Sequence, residues 1–186
     1  MFDKQKKDCL AKKDKSRKKS IDRDIKQLID LINSMEDYYT TSSCSGRILL
    51  IEKKSDRKQD ARFAFAEHKK ADFKAIKALE LPRDDVWLKQ ESIIIHVCCR
   101  DLEAANRLLR EVRDLGIKRA GIIHIGKRII IEIIGTESME TLIARDGRML
   151  VDDDYLKILV KEANKKLDRN KGKIDELYME LKQRKK

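Results

Sequence analysis

The groups in this 186-residue chain whose types permit chemistry are three histidines, four cysteines and one stretch of small polar residues. That stretch is Ser42, Ser43, Cys44, Ser45 and Gly46, followed by Arg47, and it lies between a helical pattern and an apolar strand run. Small side chains and a glycine let successive backbone N–H groups turn inward on an anion. Arg47 would add a planar fork for a carboxylate or a phosphate. The same residues also suit an ordinary helix-to-strand connection whose serines bond their own backbone. His68 closes an alternating strand, His96 interrupts an isoleucine run, and His124 does the same in Ile122 to Ile125. A histidine in an apolar strand is often a hydrogen-bonded core group. His96 is the strongest candidate for chemistry, because Cys98, Cys99 and Arg100 follow it at the C-terminal end of a strand, where open α/β sheets carry their sites. The cysteines Cys9, Cys44, Cys98 and Cys99 contain no C-x-x-C pair, so no structural metal is expected.

The elements that must position these groups can be read from periodicity. Ile21, Ile25, Leu28, Ile32 and Met35 recur at helical spacing behind Ser20, which predicts a helix capped by that serine and leading to the Ser/Cys stretch. Arg47 to Glu52 and Arg62 to His68 predict two strands paired across a charged loop. A short helix around Phe73, Ile76 and Leu79 should end before Pro82. Val86 to Lys89 and Ser92 to Cys99 predict two more strands, the second central in a sheet. Asp101 should cap a helix that stops at Gly116, and Ile122 to Ile125 with Arg128 to Ile134 should form a hairpin. Asp146-Gly147 marks a tight turn, and Asp152 caps a final helix from about 153 to 186. That helix carries Val160, Ala163, Leu167, Ile174, Leu177 and Leu181 as a stripe interrupted at Asn170 and Gly172, which would suit the body of the protein or a second copy in a homodimer. The run S-I-I-I-H-V at residue 92 echoes R-I-I-I-E-I at residue 128, so His96 and Glu132 would match if two units were duplicated. The fold class is therefore α+β, a mixed sheet with flanking helices, and not a doubly wound dinucleotide-binding fold.

Length favours a single domain over residues 1–186. With 41% apolar and 41% charged residues the chain reads as a soluble protein. No run is long enough to span a bilayer and no apolar segment follows the lysine-rich start, so a cytoplasmic protein is expected, with no membrane partner. The net charge of +11 sits at the ends: residues 1 to 20 carry nine Lys and Arg against three acids, and residues 165 to 186 carry nine against four. Basic ends on a neutral centre suit a polyanion such as RNA. There is no G-x-x-x-x-G-K-[ST], no G-x-G-x-x-G and no H-E-x-x-H, which argues against a nucleoside triphosphatase, a doubly wound methyltransferase and a zinc protease.

The run Y-Y-T-T-S-S-C-S-G-R-I at residue 38, followed by H-V-C-C-R-D-L-E-A-A at residue 96 and by R-I-I-I-E-I at residue 128, resembles the wybutosine-synthesis methyltransferase family. These enzymes methylate N4 of the tricyclic guanosine derivative at position 37 of phenylalanine tRNA. The likeness runs in order from about Asp14 to Leu167. It implies S-adenosylmethionine as methyl donor, the tRNA anticodon loop as substrate and no metal. Carried over by position, it implies that Ser42, Ser43, Cys44, Ser45, Gly46 and Arg47 hold either the donor carboxylate or a tRNA phosphate. His96 or His68 would be the base, with Glu91 or Glu132 orienting it. Asp14, Ser16, Trp87, Lys89, Cys99 and Arg100 would contact the substrate, with Trp87 or Tyr39 stacking on the extruded base. Gly121, Tyr155 and Asn164 also match the family pattern. Two positions depart from it: Lys19 stands where a glycine is usual, and Ile133-Ile134 where I-R is usual. Two other readings fit the residues alone, a non-catalytic RNA-binding protein and an assembly protein joined through the Leu167 to Leu181 stripe.

Overall fold

The structure, a computed structural model, describes residues 1–12, 20–54 and 60–184. The chain divides into two compact units. The first comprises Met1–Ser45, Ile93–Thr136 and Lys171–Lys186, and the second Gly46–Ser92 and Glu137–Asn170.

The first unit contains α1 (Phe2–Leu10), a 3-10 turn at Arg23–Ile25, α2 (Lys26–Ser34), β1 (Tyr38–Cys44), β5 (Ile94–Cys99), α4 (Leu102–Asp114), β6 (Arg119–Ile125) and β7 (Ile129–Ile134). Its four-stranded sheet has the order β1-β5-β7-β6, and every neighbouring pair is antiparallel. Alternation along the strands decides which face is covered. Ile95 and Val97 of β5 and Ile131 and Ile133 of β7 point into a core with Leu28 and Ile32 of α2 and Leu108 and Val112 of α4. The expected α4 is present: Asp101 accepts a hydrogen bond from the Ala104 N–H at 2.7 Å, and Gly116, with φ +81°, ends the helix. The expected Ser20 cap is not formed. Helix α2 starts only at Lys26, and the Asp22 carboxylate that precedes it accepts from the Ser45 N–H at 3.0 Å instead.

The second unit contains β2 (Arg47–Lys53), β3 (Ala61–Glu67), α3 (Phe73–Lys77), β4 (Asp85–Glu91), β8 (Met139–Arg145) and β9 (Arg148–Met149). Its sheet has the order β3-β2-β4-β8-β9, again antiparallel throughout. Ile48, Leu50, Val86, Leu88 and Ile143 form its core. The predicted Asp146-Gly147 turn has φ of 53° and 70°, the two positive values of a type I′ hairpin, and joins β8 to β9.

Helix α5 (Asp153–Arg184) contributes to both cores, with Leu156, Val160, Ala163 and Leu167 in the second and Ile174, Leu177 and Leu181 in the first. It runs without a break through Asn170 and Gly172. The stripe offered to a partner chain is thus consumed by the protein's own cores. The echoing strands are not equivalent members of two units: β5 and β7 are neighbours in one sheet, and no parallel crossover makes that sheet mixed. The α+β class with flanking helices and no dinucleotide-binding architecture stands. No helix among the described residues is long and apolar enough to cross a membrane.

Gly46 shows how tightly the second unit is built around one turn. Its φ is +86°, and a Cβ there would lie 2.6 Å from the Glu91 carbonyl oxygen and 2.7 Å from Asn170 Nδ2. The left-handed backbone and the overlap both penalise a side chain. Gly46→Ala is expected to lower stability by about 2–4 kcal/mol, read as a lower denaturation midpoint. Gly172→Ala, inside α5 with nothing within 4 Å of the added Cβ, is expected to raise it by up to about 1 kcal/mol.

Candidate active site

In the first unit, the face of the sheet opposite the core carries the polar groups. Because Ile95 and Val97 are buried on one side of β5, His96 between them projects to the other, and Glu132 does so between Ile131 and Ile133 of β7. Antiparallel pairing then sets Ser42 opposite His96, His96 opposite Glu132 and Glu132 opposite Gly121, a single row across four strands. His96 Nε2 lies 2.8 Å from Glu132 Oε1, and each side chain is 28% exposed. A carboxylate only accepts, so Nε2 holds the hydrogen and Nδ1 presents its lone pair. Nδ1 has no protein partner among the described residues. A register shift between Thr40 and Ser42 makes Thr41 a bulged residue, and its hydroxyl donates to the His96 carbonyl oxygen at 3.5 Å. Nothing in the sequence singled out Thr41, because a bulge is a property of the pairing.

The Ser42 to Arg47 stretch does not form an anion-binding loop. Ser42, Ser43 and Cys44 are the end of β1, laddered to His96, Ile95 and Ile94. Ser45 is buried, with both its N–H and its hydroxyl directed to Asp22 Oδ2, at 3.0 and 3.3 Å. Gly46 and Arg47 belong to the second unit. There His68 Nδ1 is 2.8 Å from the Gly46 carbonyl oxygen, so that nitrogen carries the hydrogen. Arg47 Nε donates to Glu91 Oε2 at 2.7 Å, and its guanidinium lies 5.0 Å from the centre of the Phe63 ring. Glu91 is therefore the partner of Arg47 rather than an orienting group for a histidine.

The remaining candidates divide clearly. Trp87 is half-buried in β4, with Lys53 Nζ 4.9 Å from its ring centre, beside a cleft of about 340 Å³ lined also by Lys54, Arg83 and Arg145 and by Asp84, Asp85 and Asp146. Cys99 is not a substrate contact: it is 1% exposed in the core, and burial pushes its thiol up to about 12. Burial likewise raises Cys98. Arg100 is held by the fold, donating to Asp37 at 2.8 Å and Asp3 at 2.8 Å while stacked on Phe2. Tyr39 cannot stack on a base, because it is fully buried with its ring 5.3 Å from that of Phe2. Asp14 and Ser16 lie outside the described residues, as does Lys19. Because β5 lies in an antiparallel sheet, the carboxyl-end rule for open α/β sheets does not apply to His96; its Glu132 partner distinguishes it instead.

Comparison with known proteins bears on this arrangement. The sequence profile of the family described as Methyltransferase TYW3 matches residues 4–183. The chain belongs to the TYW3 methyltransferase family. It is 38% identical over 165 residues to the tRNA(Phe) 7-((3-amino-3-carboxypropyl)-4-demethylwyosine(37)-N(4))-methyltransferase of Archaeoglobus fulgidus, covering 88% of this chain and 84% of that protein. The human tRNA wybutosine-synthesizing protein 3 homolog is 35% identical over 186 residues, covering 95% of this chain and 71% of that protein. Among solved structures, the PH1069 protein from Pyrococcus horikoshii superposes with a TM-score of 0.88 at 34% identity, over 97% of this chain and 95% of that one. A hypothetical protein from Aeropyrum pernix superposes with a TM-score of 0.75 at 28% identity, over 87% and 98%.

Within this TYW3 chain, Lys89 is engaged: its Nζ lies 3.0 Å from Glu140 Oε2, and Lys53 Nζ lies 3.0 Å from Glu140 Oε1. Partial burial pushes the Glu140 carboxyl up, but the two lysines outweigh it and hold the group below the usual glutamate value. A carboxyl lowered on folding stabilises above its unfolded pKa, and the gain disappears as pH falls through the lowered folded value. Glu140→Gln is expected to cost up to about 1 kcal/mol at neutral pH, discounted for solvent screening. Denaturation curves of variant and wild type should converge as pH falls below about 4.

Proposed function

We propose that this protein transfers a methyl group from S-adenosylmethionine to N4 of a 7-(3-amino-3-carboxypropyl)-4-demethylwyosine-type base at position 37 of phenylalanine tRNA, in the anticodon loop, with His96 accepting the proton that N4 releases. The observation that carries the assignment is the partly exposed His96–Glu132 pair at 2.8 Å, in a chain of a methyltransferase family.

The residues present suit a donor of this kind. Ser43, opposite the buried Ile95, lies on the core side of β1, but Ser42, opposite His96, sets on the polar face a hydroxyl with no partner among the described residues, and the bulged Thr41 adds a second beside it. They are of the right chemistry for the ribose and amino-acid ends of the donor. S-adenosylmethionine supplies, when bound, a methyl group on a sulfonium whose sulfur leaves neutral, so one proton remains to be managed. His96 Nδ1 receives that proton, and Glu132 then faces an imidazolium across 2.8 Å and stabilises it. Most of the acceleration comes from holding nucleophile and methyl in line, since the displacement needs no covalent intermediate on the protein.

Charge supports the same unit as the RNA-facing one. The first unit, which takes residues 1–45 and 171–186 from the two ends, carries 25 Lys and Arg against 16 Asp and Glu, a net +9, whereas the second carries 19 against 17, a net +2. A positively charged body holds phosphates without reading sequence. In the second unit, Trp87, with Lys53 over its ring in a cleft lined by both cations and aspartates, offers a stacking face for a nucleotide of the same tRNA.

The decisive assay gives the purified protein isotope-labelled S-adenosylmethionine and tRNA from cells lacking this gene, then analyses the nucleosides by mass. Label on the wyosine-type base at position 37 is the expected result. His96→Ala is expected to lower turnover by about 10²–10⁴-fold with tRNA affinity retained, and Glu132→Gln to lower it less. Transfer by His96→Ala at the wild-type rate would remove the histidine from the reaction. Binding of tRNA without any transfer would favour a non-catalytic RNA-binding protein.

A further inference from the structure

Gly121 has no role that the fold can explain. It is the third residue of β6, inside the strand and laddered to Glu132 rather than placed in a turn. Its backbone is not in the left-handed region, unlike Gly46, Gly116 and Gly147. A Cβ added to it would meet nothing within 4 Å. The register shift in β6 comes after it, between Ile122 and His124, so no glycine-dependent bulge requires it either. A glycine inside a strand weakens that strand, and where no bulge or bend demands it, the remaining reason is the close approach of something else.

The location says what approaches. Ala120 faces the core, so Gly121 faces the polar side, in the row Ser42–His96–Glu132–Gly121. By strand alternation Arg119 lies on the same face, and past the bulge His124, opposite Ile130, returns to it. The absent side chain leaves a flat shelf beside the Glu132 carboxylate, bordered along the strand by a cation and an imidazole. We infer that Gly121 is the floor on which the planar substrate base rests when N4 reaches His96, so that the lack of a side chain sets the ring size the site admits. Three fused rings need more open floor than a purine, and a β-branched side chain at 121 would stand where the outer ring lies. Gly121 is thus a specificity-determining residue. This inference rests on the proposed function and deepens it.

The test uses the full chain with Gly121→Ala and Gly121→Val. Each variant is assayed for methyl transfer to hypomodified tRNA, for binding to hypomodified tRNA and to tRNA with an unmodified guanosine at position 37, and for thermal midpoint. Because the added atoms enter open space and β-branched residues suit strands, both variants are expected to melt at or above the wild-type midpoint. Gly121→Val is expected to lose at least about 10-fold in kcat/KM through a higher KM, and to lose the wild-type preference for hypomodified over unmodified tRNA; Gly121→Ala should fall between. Wild-type kcat/KM in Gly121→Val would overturn the inference while leaving the proposed function intact. A lowered midpoint in both variants would also overturn it, by showing that the fold needs the glycine. A wild-type protein that neither methylates nor prefers hypomodified tRNA would overturn the function and the inference together.

Discussion

Burial of one face of two neighbouring strands is the constraint from which the site follows. Ile95, Val97, Ile131 and Ile133 are all fully buried in the core of the first unit. Strand side chains alternate, so a one-residue slip of either strand would expose these isoleucines and valine and bury a histidine or a glutamate. Each such side chain contributes roughly 1.5–3 kcal/mol when buried, so the register is fixed far more strongly than by the His96–Glu132 hydrogen bond itself. The two polar residues are therefore held opposite one another by hydrophobic burial on the other side of the sheet. Their geometry is set before any ligand arrives, which is the condition for an effective proton acceptor.

Much of this was legible in the sequence, for reasons that can be named. Helix α4 combines an aspartate cap, an apolar stripe and a terminal glycine, and all three signals are local. The β6–β7 hairpin and the Asp146-Gly147 turn are likewise written within a few residues. Ser42, Ser43 and Cys44 read as loop residues because their composition suits turns, whereas their conformation is decided by β5, some fifty residues later in the chain; only Ser45 and Gly46 of that stretch lie between strands. Thr40 and Thr41 were the available signal that a strand begins there. The echo between residues 92 and 128 corresponds to two neighbouring strands of one sheet, β5 and β7, rather than to one strand in each unit. Two isoleucine-rich strands with a polar residue at the same place resemble one another because they share one core, and antiparallel pairing brings their polar positions face to face. Similar reasoning applies to α5, whose apolar stripe could not announce whether its partners lie in the same chain.

The distribution of charge teaches a related lesson. Along the sequence the excess lies at the two ends, apart from the candidate residues in the middle. The division into units groups residues 1–45 and 171–186 with the segment that carries His96 and Glu132, and that unit holds +9 of the +11. Lysines are held at several helix faces by acidic neighbours three or four residues away, as Lys173 is by Glu176 at 2.5 Å, and such exposed pairs contribute little stability. The surplus is better accounted for by a polyanionic substrate than by the fold.

The choice of proton acceptor in the proposed reaction can be argued by comparing His96 with its neighbours in the sheet of the first unit. Its other ionisable side chains able to exchange a proton near neutrality by virtue of type are cysteines and histidines, and tyrosines lie further off. Burial pushes Cys99 up to about 12 and raises Cys98 as well, so both remain neutral thiols. Burial also pushes Tyr38 up to about 12, and its hydroxyl is occupied by the Ala104 carbonyl oxygen at 2.9 Å. Tyr39 is raised further by the same cause and is closed off beneath Phe2. His124 is exposed on the edge strand and has no carboxylate partner among the described residues, so nothing fixes its tautomer. Among these groups His96 combines partial exposure to solvent, a tautomer fixed by Glu132 and a bare Nδ1 on the face that carries the Ser42 hydroxyl. A base chosen for methyl transfer needs little strength, because the sulfonium is already an excellent leaving group. It needs a fixed position and an accessible lone pair, and those are what the buried isoleucines secure.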